Sequence, residues 1–363
     1  MNPDYMRQAL DLAREGMGRT SPNPAVGAVL VQGGEVVGRG THTYAGVKHA
    51  EILALEEAGE RARGSTLYIS LEPCCHTGRT GPCADALIKA GIARVVAAME
   101  DPNPRVAGSG FRRLREAGVE VEIAHQSAAE AARINEAFVH FMRTGRPLVT
   151  VKAAVTLDGK IAAPEDNRGW ITSETARADV QRLRHLSDAI VTGIGTVLAD
   201  DCLLTDRSGR ERSRPLLRIV LDSQLRLPLA SKMVRSASGD VVAATTSAAS
   251  AQRRRALEEA GVAVWTMDAP EGRVDLRALV ERLARESYLS LMVEAGSKVN
   301  WAFLESGVAD KVYFYYAPKI LGGAALPMIG GAGRRSRSEA ILLHGVEIHP
   351  IPPDEFAVEA YLS

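Results

Sequence analysis

Met6, Leu10, Ala13 and Met17 recur at helical spacing, so the chain opens with an amphipathic helix that ends near Gly16 to Gly18. A short apolar run, Ala25 to Val31, meets Gly33-Gly34 and continues as Glu35 to Gly40, the pattern of a hairpin. Ile52, Leu53 and Leu55 predict a helix that opens at His49 and stops around Gly59. Thr66 to Leu71 reads as a buried strand, and Pro82 suits the first turn of a helix over Cys83 to Ala90, closed by Gly91. A strand at Arg94 to Met99, a helix near Phe111 to Ala117 and a strand at Val119 to Ile123 follow. One longer helix is expected over Ala128 to Met142.

Thr144-Gly145-Arg146-Pro147 then interrupts the pattern, because a helix-ending Gly and a Pro precede a fresh strand, Leu148 to Val155. This is the expected domain boundary, giving units 1–145 and 146–363. The second unit reads strand, helix (Ser173 to Leu186), strand (Ala189 to Ile194), loop, strand (Leu216 to Leu221). Further strands are expected near Val241, Val262, Leu291 and Val312. Ala243 to Ala260, rich in Ala, Ser and Arg, is explained mainly by helix propensity. Both units are therefore α/β, the first a layered sandwich with much of its sheet parallel.

A length of 363 residues supports two cores better than one. Forty-four basic residues balance 44 acidic ones, a poor footprint for gripping a nucleic-acid backbone. No apolar run is long enough to span a bilayer, and Met1 to Gly18 has no secretory pattern, so a cytoplasmic protein with no membrane partner is expected. Three of the four cysteines fall within ten positions, which points to metal or catalysis rather than a disulfide framework.

Those cysteines carry the chemistry. His49-Ala50-Glu51 is followed by Pro73-Cys74 and Pro82-Cys83. Zinc-dependent base deaminases use this logic, with one His and two Cys on the metal and a Glu that binds no metal but moves protons. Adjacent helical residues point about 100° apart, so His49 and Glu51 could converge only off the open end of their helix. Cys83, behind Pro82, would be placed the same way, where a helix N-terminus favours thiolate. Three protein ligands leave the fourth position to water, whose pKa falls toward roughly 7. Two plainer readings stand beside this one: an ordinary helix start, or a structural zinc closed by Cys75 or His76.

Pro22-Asn23-Pro24-Ala25-Val26-Gly27, Gly40-Thr41-His42, Lys48-His49-Ala50-Glu51 and Glu72-Pro73-Cys74-Cys75-His76-Thr77-Gly78-Arg79-Thr80-Gly81-Pro82-Cys83 together resemble the bifunctional riboflavin-biosynthesis deaminase/reductases. The eight residues between Cys74 and Cys83 separate that family from cytidine and transfer-RNA deaminases. Lys152 to Gly159, Trp170-Ile171-Thr172, Asp188 to Arg207 and Val293-Glu294-Ala295-Gly296 resemble its reductase half. The resemblance implies a cytidine-deaminase-like α/β/α domain followed by a dihydrofolate-reductase-like α/β domain. It also implies one zinc per chain, NADPH, and a small phosphoribosyl-pyrimidine substrate. The first domain would deaminate 2,5-diamino-6-(5-phosphoribosylamino)pyrimidin-4(3H)-one. The second would reduce the ribosyl group of 5-amino-6-(5-phosphoribosylamino)uracil to ribityl. A homo-oligomer is the expected assembly.

By the same resemblance His49, Cys74 and Cys83 would bind zinc, Glu51 would act as acid and base, and Asn23, His42 and His76 would hold the pyrimidine. Val155, Trp170, Thr196, Asp200, Ser223 and Gly296 would line the NADPH site, and Arg168, Arg184, Leu204, Arg207 and Glu294 would hold the phosphoribosyl substrate. The residues themselves support part of this. No G-x-G-x-x-G follows the first strand of the second unit, but Glu294-Ala295-Gly296-Ser297 puts glycine at a helix start suited to a phosphate. Lys152 and Asp200 are candidates for polar support of the hydride acceptor. Cys202 stands where the family often has Pro, and Cys75 beside Cys74 leaves the second thiolate open. A nucleic-acid-editing deaminase is the competing reading, and it would need a basic face with stacking aromatics that 5% aromatic content does not favour.

Overall fold

The computed structural model describes residues 2–42, 48–75, 81–104, 106–165 and 169–363. His76 and Arg168 lie outside the described residues. The chain forms two compact units, Met1–Gly145 with Glu211–Arg214, and Arg146–Arg210 with Pro215–Ser363.

The first unit is built on β1 (Gly27–Gln32), β2 (Glu35–Thr41), β3 (Thr66–Ile69), β4 (Arg94–Ala97) and β5 (Glu120–Ile123), in the spatial order β2-β1-β3-β4-β5. The Gly33-Gly34 hairpin makes β1 and β2 antiparallel, β1 also meets β3 antiparallel, and β3, β4 and β5 run parallel. Strand alternation sends Ala28, Leu30, Leu67, Ile69, Val95 and Ala97 to one face. There they bury the apolar sides of α2 (Ala50–Ala58), α3 (Cys83–Ala90) and α4 (Ser109–Glu116). On the other face Tyr68 meets Tyr5 of α1 (Pro3–Glu15), ring centroids 5.3 Å apart.

The docking of α2 is unusually close. Ala50, Ala54 and Ala58 recur every fourth residue and form one narrow buried stripe. Opposite them β2 carries Gly38 and Gly40. A Cβ on Gly40 would lie 1.9 Å from the Ala50 carbonyl oxygen, and one on Gly38 would lie 2.1 Å from that of Ala54.

The single helix expected over Ala128 to Met142 is two, α5 (Ala128–Ile134) and α6 (Glu136–Thr144), broken at Asn135. The buried Asn135 amide acts as a strand edge. Its Oδ1 accepts from Ala25 N (2.7 Å) and its Nδ2 donates to Ala25 O (2.9 Å). Periodicity cannot register a side chain recruited by backbone 110 residues away.

In the second unit nine strands form one sheet, in the spatial order Ala263–Thr266, Val241–Thr245, Leu217–Leu221, Ala189–Gly193, Ser290–Glu294, Leu148–Thr156, Lys311–Ala317, Glu355–Leu362, Leu343–Ile351. The first seven run parallel and the last two close antiparallel as a C-terminal hairpin. Strands central to such a sheet are apolar on both sides, as in Ala189–Gly193, every residue of which is buried. Two expectations change. Ala243 to Thr245 belongs to a buried strand, and only Ala251–Glu259 of that alanine-rich stretch is helix. Tertiary burial overrides propensity there. The helix Ile194–Asp200 starts on the last residue of the expected strand and takes up the beginning of the expected loop. Among the described residues no helix is long and apolar enough to cross a membrane.

Candidate active sites

His49 is the N-cap of α2, in extended backbone, and Glu51 follows in the first turn. Cys83 is the first residue of α3, behind the N-cap Pro82. Cys74 sits just beyond β3, and its carbonyl accepts from Ala84 N (3.1 Å), which joins the two cysteine segments. The His49 Nδ1 atom lies 3.2 Å from Cys83 Sγ and 3.6 Å from Cys74 Sγ, and all three donor atoms fall within 4.8 Å of one another. Two sulfurs and one imidazole nitrogen at that spacing are the donor set zinc takes, with one coordination position left over. These residues fit the metal.

Electrostatics agree with the grouping. A hydrogen bond from Cys83, with help from His49, holds the Cys74 thiol down at about 4 despite burial. Donating that bond, together with burial, pushes the Cys83 thiol up. The hydrogen bond to Cys74 raises His49. Glu51 is 4% exposed, and burial followed by the Cys74 charge raises its carboxyl to about 7.

Asn23 and His42 meet beside this cluster. His42 Nδ1 lies 2.9 Å from the Lys48 carbonyl, which can only accept, so Nδ1 carries the hydrogen. The other nitrogen, Nε2, is 3.2 Å from Asn23 Nδ2 and can accept from it. The His42 and His49 rings stand edge to face, centroids 5.2 Å apart. Burial, opposed by the bond to Lys48, lowers the His42 pKa, with a smaller push from His49.

In the second unit the polar groups gather around the end of one parallel strand. Glu294 closes the strand Ser290–Glu294, and Lys152 lies opposite it in register on Leu148–Thr156. Lys152 Nζ is 3.1 Å from Glu294 Oε1. Arg184, from the helix Glu174–Leu186, grips both carboxylate oxygens at 3.0 Å and donates to the Thr205 carbonyl at 3.0 Å. Burial alone would raise Glu294, but Lys152 and Arg184 hold it at about 2. The Lys152 ammonium also lies 5.8 Å from the centre of the Tyr315 ring, whose hydroxyl donates to Asp179 (2.7 Å).

The other expected residues are spread around this carboxylate. Gly296 is the N-cap of the helix Ser297–Glu305, which has no side-chain cap, and a Cβ on it would lie 3.8 Å from Thr196 Oγ1. Asp200 ends the helix Ile194–Asp200, and the next residue, Asp201, caps it in left-handed backbone (φ 43°). Leu204 is buried and also left-handed (φ 52°). Arg207 is exposed, with its N–H on Gln181 (2.8 Å). Val155 is buried within its strand. The Trp170 ring is 70% exposed and sits 5.0 Å from the Arg177 guanidinium carbon. The Ser223 carbonyl accepts from Thr246 Oγ1 (3.0 Å).

Two groups were missed from sequence. Asn135 ties down the segment that carries Asn23, and Glu72, just before Pro73-Cys74, is 3% exposed. A carboxylate at the end of a buried strand was the available signal for the second. A further cluster, Glu347, His349 and Glu359, also has metal-like spacing, but the Lys311 ammonium already lies 2.5 Å from the Glu359 carboxylate.

Comparisons with known proteins agree with both halves. Residues 2–99 match the cytidine and deoxycytidylate deaminase zinc-binding region, and residues 147–354 match the RibD C-terminal domain. The riboflavin biosynthesis protein RibD of Bacillus amyloliquefaciens is 40% identical over 98% of this chain and 95% of its own. That of Escherichia coli is 42% identical over 96% of each. Acinetobacter baumannii RibD superposes with a TM-score of 0.88 at 37% identity, covering 99% of this chain and 98% of that one. The deaminase/reductase of Thermotoga maritima superposes at 0.84 and 34% identity, with the same coverage. The chain belongs to the RibD family, the bifunctional deaminase/reductases of riboflavin biosynthesis.

Proposed function

We propose that the first unit, 1–145, hydrolytically deaminates 2,5-diamino-6-(5-phosphoribosylamino)pyrimidin-4(3H)-one. The second, 146–363, then reduces 5-amino-6-(5-phosphoribosylamino)uracil with NADPH. The observation that carries the first half is the convergence of His49, Cys74 and Cys83 within 4.8 Å, with buried Glu51 beside them.

His49, Cys74 and Cys83 hold the zinc, which supplies the Lewis acidity that brings the pKa of water to roughly 7. Glu51 takes the proton of the attacking water and returns it to the exocyclic amino group. The bond from the ring carbon to that amino nitrogen then breaks and ammonia leaves. Asn23 Oδ1 faces away from the bond that Nδ2 makes to His42 and accepts from a ring N–H, and His42 helps enclose the base. The family resemblance makes His76 a further candidate for holding the base.

NADPH would supply the hydride for C1′, where the bond to the ring oxygen would break and that oxygen take up a proton, opening ribose to ribityl. Gly296 and Thr196 lie at an uncapped helix start suited to a cofactor phosphate. Val155, Trp170, Asp200 and Ser223 line the rest of the NADPH site. Glu294, pinned by Arg184, orients Lys152 as polar support on the neighbouring strand. Leu204, Arg207 and Arg168 hold the phosphoribosyl group. Arg184 serves it through Glu294, since each of its three guanidinium nitrogens already donates within the protein.

Zero net charge and 5% aromatic content favour this small substrate over nucleic acid. We place the protein in the cytoplasm. Exposed Leu342, Val346 and Ile348 along the edge of the C-terminal hairpin favour a homo-oligomer, which sedimentation would test. The functional test supplies the diaminopyrimidine phosphate without NADPH and then with it. Ammonia should appear first and NADPH oxidation only afterwards. A fragment from Arg146 onward should contain no zinc and oxidise NADPH with the aminouracil alone. Equal oxidation with the undeaminated compound would overturn the order of steps.

A further inference from the structure

Glu72 lies outside every role assigned above. Its buried carboxylate accepts four backbone N–H groups. Oε1 takes Gly110 (2.8 Å) and Phe111 (3.2 Å), while Oε2 takes Gly108 (2.9 Å) and Asp101 (3.1 Å). The four come from two places, the loop after β4 and the first turn of α4. The N-cap of α4 is Gly108, which has no side chain to offer. Gly110 and Phe111 are the second and third helical residues, whose N–H groups a capping side chain ordinarily takes. Glu72 therefore caps α4 from a different element of the fold.

The same stretch of chain is held from its other sides. Glu72 N donates to Met99 O (3.0 Å), which extends the β3–β4 pairing by one more bond. Gly110 presents bare backbone to the next peptide, where a Cβ would lie 2.0 Å from Pro73 O. The peptide that leads into Cys74 is thus fixed by a carboxylate behind it and a helix start against it. Cys74 has little left to choose except its own side-chain rotamer.

We propose that Glu72 is a positioning residue for the zinc centre. By capping α4 it sets the Pro73–Cys74 peptide, and so aims Cys74 Sγ at the point where His49 Nδ1 and Cys83 Sγ converge. The proposal rests on the zinc reading of those three residues. Gln in place of Glu72 keeps the shape but turns one acceptor into a donor that faces backbone N–H groups, and part of the cap is lost. Groups that orient a metal ligand commonly change metal affinity by about 10 to 100-fold when removed.

The experiment uses full-length Glu72→Gln. It measures zinc affinity by chelator competition, the visible spectrum of the cobalt(II) form, and kcat and KM for deamination at saturating zinc. Reductase turnover on the aminouracil reports folding of the other unit, and thermal melting reports on the first. Zinc affinity should fall about 10 to 100-fold. The cobalt bands should shift even when the site is full, and kcat should fall while KM changes less than about twofold. A variant that is only less stable would keep the wild-type cobalt spectrum, and that result overturns the proposal, as does unchanged zinc affinity. Should Glu72→Gln fail to fold, Gly110→Ala decides instead. It keeps the carboxylate, presses on Pro73 O, and should give the same cobalt shift, while an unshifted spectrum rejects the idea. Failure of the zinc reading itself is distinct, because wild-type protein would then bind no zinc or Cys83→Ala would keep it.

Discussion

In the deaminase unit the clustered side chains stand mostly at helix starts and are brought together by backbone, whereas in the reductase unit they are drawn from strands and a helix and brought together by charge. His49, Glu51 and Cys83 all belong to the opening turns of α2 and α3, and packing of those helices on the sheet does the converging. Lys152, Arg184 and Glu294 come from two strands and a helix, and the carboxylate between two cations holds them. A centre of the first kind loses function when one atom changes and keeps its shape. A centre of the second kind should lose its shape as well, because removing one charge strands the others in a site with little water.

The sharpest break of that contrast is Glu51→Gln. It should lower deamination by about 10² to 10⁴, toward the upper end because one carboxylate serves several proton transfers, with zinc content and melting temperature unchanged. A matching loss of stability would put Glu51 in the second category. Glu294→Gln should instead destabilise the reductase unit by about 3 to 5 kcal/mol, since Lys152 and Arg184 are left facing an amide.

The same carboxylate gives a pH test. Its folded pKa, at about 2, lies below the ordinary 4.5, so its contribution is complete above pH 4.5 and is lost as pH falls from there through 2. Melting curves of the isolated reductase unit should show that loss in wild type and a shallower one in Glu294→Gln. Parallel curves would remove Glu294 from the account.

Smaller effects sharpen the comparison within each unit. Arg207→Ala should weaken the phosphate-bearing substrate by about 1.5 to 3 kcal/mol and leave NADPH affinity and stability alone, because Arg207 is exposed. Equal rises in both Michaelis constants would take it off the substrate. Asn135→Ala should cost about 1 to 3 kcal/mol by leaving the Ala25 N–H and carbonyl without their partner. It should also raise the deaminase KM through the Asn23 segment. An unchanged KM would confine Asn135 to stability.

Legibility follows the same division. Helix α3 begins and ends where Pro82 and Gly91 place it, because caps are local chemistry. The His-Glu-Cys-Cys pattern was legible because three of its members, His49, Glu51 and Cys83, attach to such starts. The break at Asn135 was not, since its cause is a pair of bonds to Ala25. Arg184 reads from sequence as a phosphate fork, yet in the fold its guanidinium is taken up by Glu294 and Thr205. Nothing in the spacing of residues 184, 205 and 294 announces that. Glu72 was passed over for the same reason, as its four donors are assembled only when α4 docks.

The bare contact between α2 and β2 carries a mechanical consequence. With nothing larger than a methyl between them, Gly38 and Gly40 on one side and the Ala54 and Ala50 carbonyls on the other mesh like two teeth of a rack. A helix cushioned on leucines could slide by a fraction of an ångström as those side chains changed rotamer. This one has no cushion to compress. The depth at which Glu51 is presented is therefore a dimension of the main chain, and a single methyl group on the strand would act as a shim beneath the whole of α2.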